Sequence, residues 1–228
     1  MSQTIALPRE AGPASRLFLL FHGVGATAQS MLPLGRLVAG EFPDAAVVCV
    51  ASPYPADFGG GAQWFSVSGI TEENRPARVA QAMPTFRGTI GRWQSEYGVP
   101  AGSTTLIGFS QGAIMALEST TLPTPQASRV VSLSGRFASL PDHAAEHTTI
   151  HLIHGRKDGV IPHDFAVAAG ERLRQLGSDV TVDVLPQVGH EINAAVAAVL
   201  LRRLHEQPST RGAQAATGDH SADAFAAR

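Results

Sequence analysis

The chain has one cysteine, Cys49, in 228 residues, so no disulfide can form within it and a reducing compartment suits it. A cytoplasmic protein is expected. Charge is scarce as well: 17 Lys and Arg against 19 Asp and Glu leave a net charge of −2, which offers no basic field to nucleic acid or to an anionic membrane surface. Neither partner is expected. The early apolar run Leu17-Phe18-Leu19-Leu20-Phe21 stops at His22, too short for the apolar part of a secretion signal and far too short to cross a bilayer. No stable membrane insertion follows. Cys49 itself, inside Val47-Val48-Cys49-Val50, reads as a small buried apolar residue rather than a reactive thiol.

What is present is the composition of a globular protein, with 44% hydrophobic and 16% charged residues, sufficient for one α/β domain around a buried sheet. Five short apolar runs, at residues 17–21, 46–51, 104–109, 129–134 and 149–154, are separated by helical or loop segments. A sixth, 180–185, alternates apolar and polar residues like an edge strand. Continuous apolar runs mark strands buried on both faces, and helices between them indicate a parallel sheet of six or seven strands with helices on both sides. Helices are expected over 75–97, where Val79, Met83, Phe86, Ile90 and Trp93 form one apolar face that Pro84 kinks or divides, and over 165–176 and 192–204. Their Trp, Met and Phe are read as core. Residues 1–206 are expected to form one domain and 207–228, small and polar without an apolar period, a flexible tail. The long stretch from Pro53 to Asn74, with Gly59-Gly60-Gly61 inside it, has the length of a binding loop.

Between the run ending at Ile107 and the helix-forming run from Ala113 lies Gly108-Phe109-Ser110-Gln111-Gly112. A serine flanked by glycines at a sharp turn from strand to helix is the form of a nucleophile elbow, in which the hydroxyl is presented to substrate. Such a string arises by accident in roughly one chain in six of this glycine content, so it needs support. The alternative is a serine that merely caps the following helix.

A serine hydroxyl becomes a nucleophile near neutral pH when a base takes its proton, usually a histidine oriented by a carboxylate. On a sheet of this kind the acid and then the histidine follow the serine along the chain, each on a loop after a strand. Asp158 follows the run 149–154, and His190 follows 180–185 and opens the last helix. Asp158 as a plain turn residue before Gly159, and His190 as a helix cap with Glu191 acting in its place, are the competing readings. The negative charge that develops on the attacked carbonyl needs donors. The backbone N–H of Gln111 is one, and the turn Phe21-His22-Gly23-Val24-Gly25 supplies another at Val24, with His22 holding that turn. His143 and His147 stand four apart but have no third ligand nearby, and His151 and His154 fall on opposite faces of one strand. No metal and no cofactor are expected.

These motifs together resemble the phospholipase/carboxylesterase family of small α/β-hydrolase serine esterases, which also contains the acyl-protein thioesterases. The matching stretches are residues 19–25, Gln63-Trp64-Phe65, Gly108 to Ala113, the loop from His154 to Asp158 with Val160-Ile161-Pro162, and Gly189-His190. The resemblance spans roughly residues 15–204, judged by motif placement. Ala26 and Ser66 stand where much of the family has Asp, and the run 63–75 resembles a bacterial carboxylesterase branch, away from protein depalmitoylation. The resemblance implies an α/β-hydrolase fold and a small-molecule ester as substrate, with Ser110, Asp158 and His190 catalytic. Short or medium acyl groups are expected, a thioester or lysophospholipid is the alternative, and a non-catalytic binding protein on the same fold is a further one. Trp64 and Phe65 either line the acyl pocket or pin the long loop to the core. A monomer or homodimer is expected.

Overall fold

All six apolar runs become strands: the five continuous ones are buried along almost their whole length, as strands covered by helices on both faces are, and the alternating sixth is half-buried. The computed structural model describes residues 3–9 and 12–206, so the expected tail at 207–228 lies outside the described residues. In chain order the elements are β1 (Ile5–Ala6), β2 (Arg16–Phe21), α1 (Leu32–Glu41), β3 (Ala45–Val50), β4 (Tyr54–Pro55), β5 (Ala62–Gln63) and α2 (Arg75–Tyr97). They continue with β6 (Thr104–Phe109), α3 (Gln111–Glu118), β7 (Arg129–Leu133), β8 (Thr149–Gly155), α4 (Asp164–Gln175), β9 (Val180–Leu185) and α5 (Ala194–His205). Seven strands form one sheet in the order β1-β3-β2-β6-β7-β8-β9. All neighbours are parallel except β1, which runs antiparallel to β3. β9 is indeed an edge strand.

Alternate residues along each strand feed two cores. Leu17, Leu19, Phe21, Val48 and Leu106 face α2, α3 and α4, while Phe18, Leu20, Val47, Cys49 and Ile107 face α1 and α5. Cys49 is buried, and burial pushes its thiol up to about 12. Helix α2 runs through Pro84 as one helix, so of the two expected outcomes, a kink or a division, the division does not occur; the proline sits on the exposed face, where water can take the carbonyl its missing N–H leaves free. No helix among the described residues is long and apolar enough to cross a membrane.

Because the strands are parallel, the loops after β2, β6, β8 and β9 all emerge at one edge. That common edge is what brings residues far apart in sequence to one place. On the α2 side, Phe21, Trp64 and Phe86 lock together, with ring centroids 4.6 Å apart for Phe21–Phe86 and 4.9 Å for Trp64–Phe86. Phe86 has no exposed surface. Replacing Phe86 by Ala should lower the unfolding free energy by about 3–5 kcal/mol in urea denaturation, and a change below about 1 kcal/mol would show that this cluster does not anchor α2 to the sheet.

Candidate active site

The serine turn is tight in a way that dictates its residues. Ser110 has φ 51° and ψ −117°, a strained conformation for a residue with a side chain, and strain of this kind persists where the surroundings enforce it. The enforcement comes from Gly112: a Cβ there would lie 2.3 Å from the carbonyl oxygen of Phe21. Only glycine lets α3 pass so close to the end of β2. Ser110 occupies the position before the first turn of α3 yet makes no side-chain capping bond. The capping alternative therefore fails, and the hydroxyl points elsewhere.

It points to His190. Ser110 Oγ lies 3.0 Å from His190 Nε2, and His190 Nδ1 lies 2.7 Å from Asp158 Oδ2. The loops after β6, β8 and β9 thus meet in one chain of hydrogen bonds. Asp158 remains a turn residue as well, since its Oδ1 accepts from the N–H groups of Val160 and Ile161, each at 2.9 Å. Burial acts to raise the Asp158 carboxyl, but the bonds from His190, Ile161 and Val160 outweigh it and hold it below the usual carboxylate value. An ionised carboxylate can only accept, so His190 Nδ1 carries the hydrogen and Nε2 is left to accept from the serine hydroxyl. Glu191 bonds instead to Asn193, whose own side chain caps α5. His190 therefore lies in the loop before α5 rather than opening the helix, which begins four residues later because Asn193 supplies the cap.

The turn after β2 is held from both sides. His22 Nδ1 donates to Gly23 O at 2.7 Å, and its Nε2 accepts from the Ser52 N–H at 3.1 Å. Burial lowers its pKa, which suits a neutral ring with these two roles. On the other side Ala62 bonds Gly25 N and Ala26 O, so that β5 is stitched to the turn. Gly61 makes this possible, with φ +76° and a position where a Cβ would meet the Gly25 carbonyl oxygen at 2.1 Å. Val24 and Gln111 both wall a cavity of about 290 Å³ that opens at Ser110. The Gln111 N–H, first in α3, is among the donors that a helix start leaves without an intrahelical partner.

Trp64 and Phe65 part company. Trp64 is 1% exposed and packs in the α2 core, whereas Phe65 lies on the cavity wall. Gln111 holds them in place: its Oε1 accepts from Trp64 N and its Nε2 donates to Phe65 O, both at 2.8 Å. The long stretch is also ordered by Asp57, which sequence reasoning missed. Its carboxylate accepts from Gln63 Nε2, Ser66 Oγ, Val67 N and Ser68 N at 2.7–2.9 Å.

Two further groups carried no local signal. His154 Nε2 lies 2.8 Å from Ile161 O and 3.1 Å from Asp158 Oδ2; both are acceptors, so Nε2 bears the hydrogen, and burial lowers the pKa of the ring. Arg136 Nη1 and Nη2 clasp Glu72 at 3.1 and 2.7 Å on the cavity wall. The segment carrying His143 and His147 is not helical, so their spacing does not pair them; His143 bonds Asp142 and Thr121 O. Among the described residues no three His, Cys, Asp or Glu gather as a metal site.

The family profile described as Phospholipase/Carboxylesterase matches residues 3–202. The chain is 53% identical over 181 residues to the esterase YpfH of Escherichia coli (strain K12), covering 79% of this chain and 78% of that protein. Its fold is similar to that of the esterase PE8, at a TM-score of 0.79 and 26% identity over 88% of this chain and 96% of the other. A carboxylesterase from Mesorhizobium loti shares the fold at a TM-score of 0.71 and 20% identity, covering 84% and 88% of the two chains.

The bonds to Asp57, that from Gln63 foremost, hold its pKa down at about 2. Its folded value lies below the unfolded value of about 3.9. The stability it contributes is therefore complete above about pH 4 and is lost as pH falls toward about 2. In thermal melts across that range, Asp57→Asn should show a shallower acid loss than the native protein. Parallel acid limbs would remove Asp57 as the organiser of the loop.

Proposed function

This chain belongs to the phospholipase/carboxylesterase family, and on that premise we propose that it hydrolyses carboxylic esters of short or medium acyl chains through an acyl-enzyme on Ser110. The observation that carries the reading is the unbroken chain Ser110–His190–Asp158, at 3.0 and 2.7 Å. His190 Nε2 takes the hydroxyl proton as Ser110 Oγ bonds to the acyl carbon. The N–H groups of Val24 and Gln111 then stabilise the oxyanion, each donor contributing about 3 kcal/mol in the transition state. As the intermediate collapses, the ester C–O bond breaks and the leaving oxygen takes the proton from His190. Water, deprotonated by His190, next cleaves the acyl-enzyme and frees Ser110. Throughout, Asp158 fixes the imidazole and stabilises its charged form.

Thioesters and lysophospholipids pass through the same kind of tetrahedral intermediate, and a panel of aryl esters, acyl-CoA and lysophospholipid over several chain lengths ranks them. A fluorophosphonate probe should label the native protein and fail to label Ser110→Ala, which should also lose ester turnover while keeping its fold by circular dichroism. Asp158→Asn should lower kcat by on the order of 10⁴. Labelling that survives in Ser110→Ala, or near-native turnover in Asp158→Asn, would defeat the assignment.

A further inference from the structure

The cavity at Ser110 is apolar over most of its wall, with Phe65, Ile114, Ile161 and Phe165 among its residues, but three ionisable groups also face it: Glu72, Arg75 and Arg136. Two cations against one anion leave the wall with an excess positive charge. The two signs are held very differently. The Arg136 side chain is 9% exposed, its Cζ lies 3.5 Å from the centre of the Phe165 ring, and its Nε donates to Phe137 O. It is a fixed, largely desolvated guanidinium, the state in which this group binds a planar carboxylate through two parallel bonds. Glu72, which now receives those two bonds and a third from Arg75 Nη2 at 3.0 Å, has a side chain 59% exposed. Arg75 Nε is buried without a hydrogen-bond partner. The Arg75 group that a second carboxylate would meet is Nη2, which now bonds Glu72.

The position of the cavity says which half of the ester reaches these groups. Ser110 and the two residues assigned the oxyanion donors, Val24 and Gln111, line it together with the apolar wall. The leaving alcohol must receive its proton from His190, so it departs on the histidine side and the cavity holds the acyl half. Resting on the serine-esterase reading, we propose that the acyl group ends in a carboxylate: the substrates are half-esters of short dicarboxylic acids, and their free carboxylate replaces that of Glu72 on Arg136 and Arg75. Glu72, solvated on its outer side, swings into water as the substrate enters. Hydrolysis then consumes one water, breaks the ester C–O bond and yields the alcohol and the dicarboxylic acid.

The test compares two esters of matched length, monoethyl glutarate and ethyl pentanoate, by ethanol release in the native protein, Arg75→Gln and Glu72→Gln, with fluorophosphonate labelling in parallel. The native protein should favour the half-ester in kcat/KM by about tenfold or more, and Arg75→Gln should shrink that ratio about tenfold. Glu72→Gln should raise the ratio, because it removes the competing carboxylate, an effect that a purely structural ion pair would not produce. Carboxymethyl butyrate, with its charge on the alcohol side, should gain no such advantage over ethyl butyrate. Preference for ethyl pentanoate, a ratio unchanged by both substitutions, or an advantage that follows the alcohol-side charge would overturn the proposal while labelling of Ser110 upholds the esterase reading. Absence of both labelling and turnover would bring down the two together.

Discussion

The carboxylate of Asp158 is the point at which the site is tied together. Its side chain has no exposed surface, and three donors converge on it, the N–H groups of Val160 and Ile161 and the ring of His190, with the His154 ring 3.1 Å away. A buried charge is tolerable only when it is bonded in this way. The same bonds close the loop after β8, orient the loop after β9 and fix the tautomer of His190. One carboxylate thus couples the closure of the loop after β8 to the orientation of the His190 ring.

A second constraint acts across the sheet edge, where backbone rather than charge sets the geometry. The end of β2 touches the first turn of α3 at Gly112, and the turn that follows β2 is braced by His22 beneath and by β5 above. Asp57 ties residues 63–68 into one unit, and Gln111 fastens that unit to α3. Gln111 thus lines the cavity itself while its side chain positions Phe65 on the cavity wall. The region between β3 and α2 is in this sense part of the site rather than a covering over it.

The sheet was legible because strands buried on both faces leave continuous apolar runs, and the places of Ser110, Asp158 and His190 were legible because each follows such a run. Helix α1 left a weaker mark: Pro33, Gly35 and Gly40 dilute its pattern, although Leu34 and Val38 bury one face. β1 and the β4–β5 pair, two residues per strand, are too short to show any period. Pairings between distant loops were not legible at all. Arg136 and Glu72 are 64 residues apart, and nothing local to either names the other. His154 belongs to the same class, since a histidine inside an apolar strand reads as a core residue until the fold sets Asp158 beside it. Trp64 and Phe65, adjacent in sequence, were open to one shared reading; the loop's path sends one into the core and the other to the cavity.

Transfer of the Ser110 proton to His190 requires that the ring carry its resting hydrogen on Nδ1. ¹⁵N NMR of protein labelled in its imidazole rings, at neutral pH and with His190 assigned by substitution, reports this directly. The expected result is a protonated Nδ1 bonded to Asp158 and an unprotonated Nε2 that accepts from Ser110. A hydrogen found on Nε2, with Nδ1 bare, would contradict it.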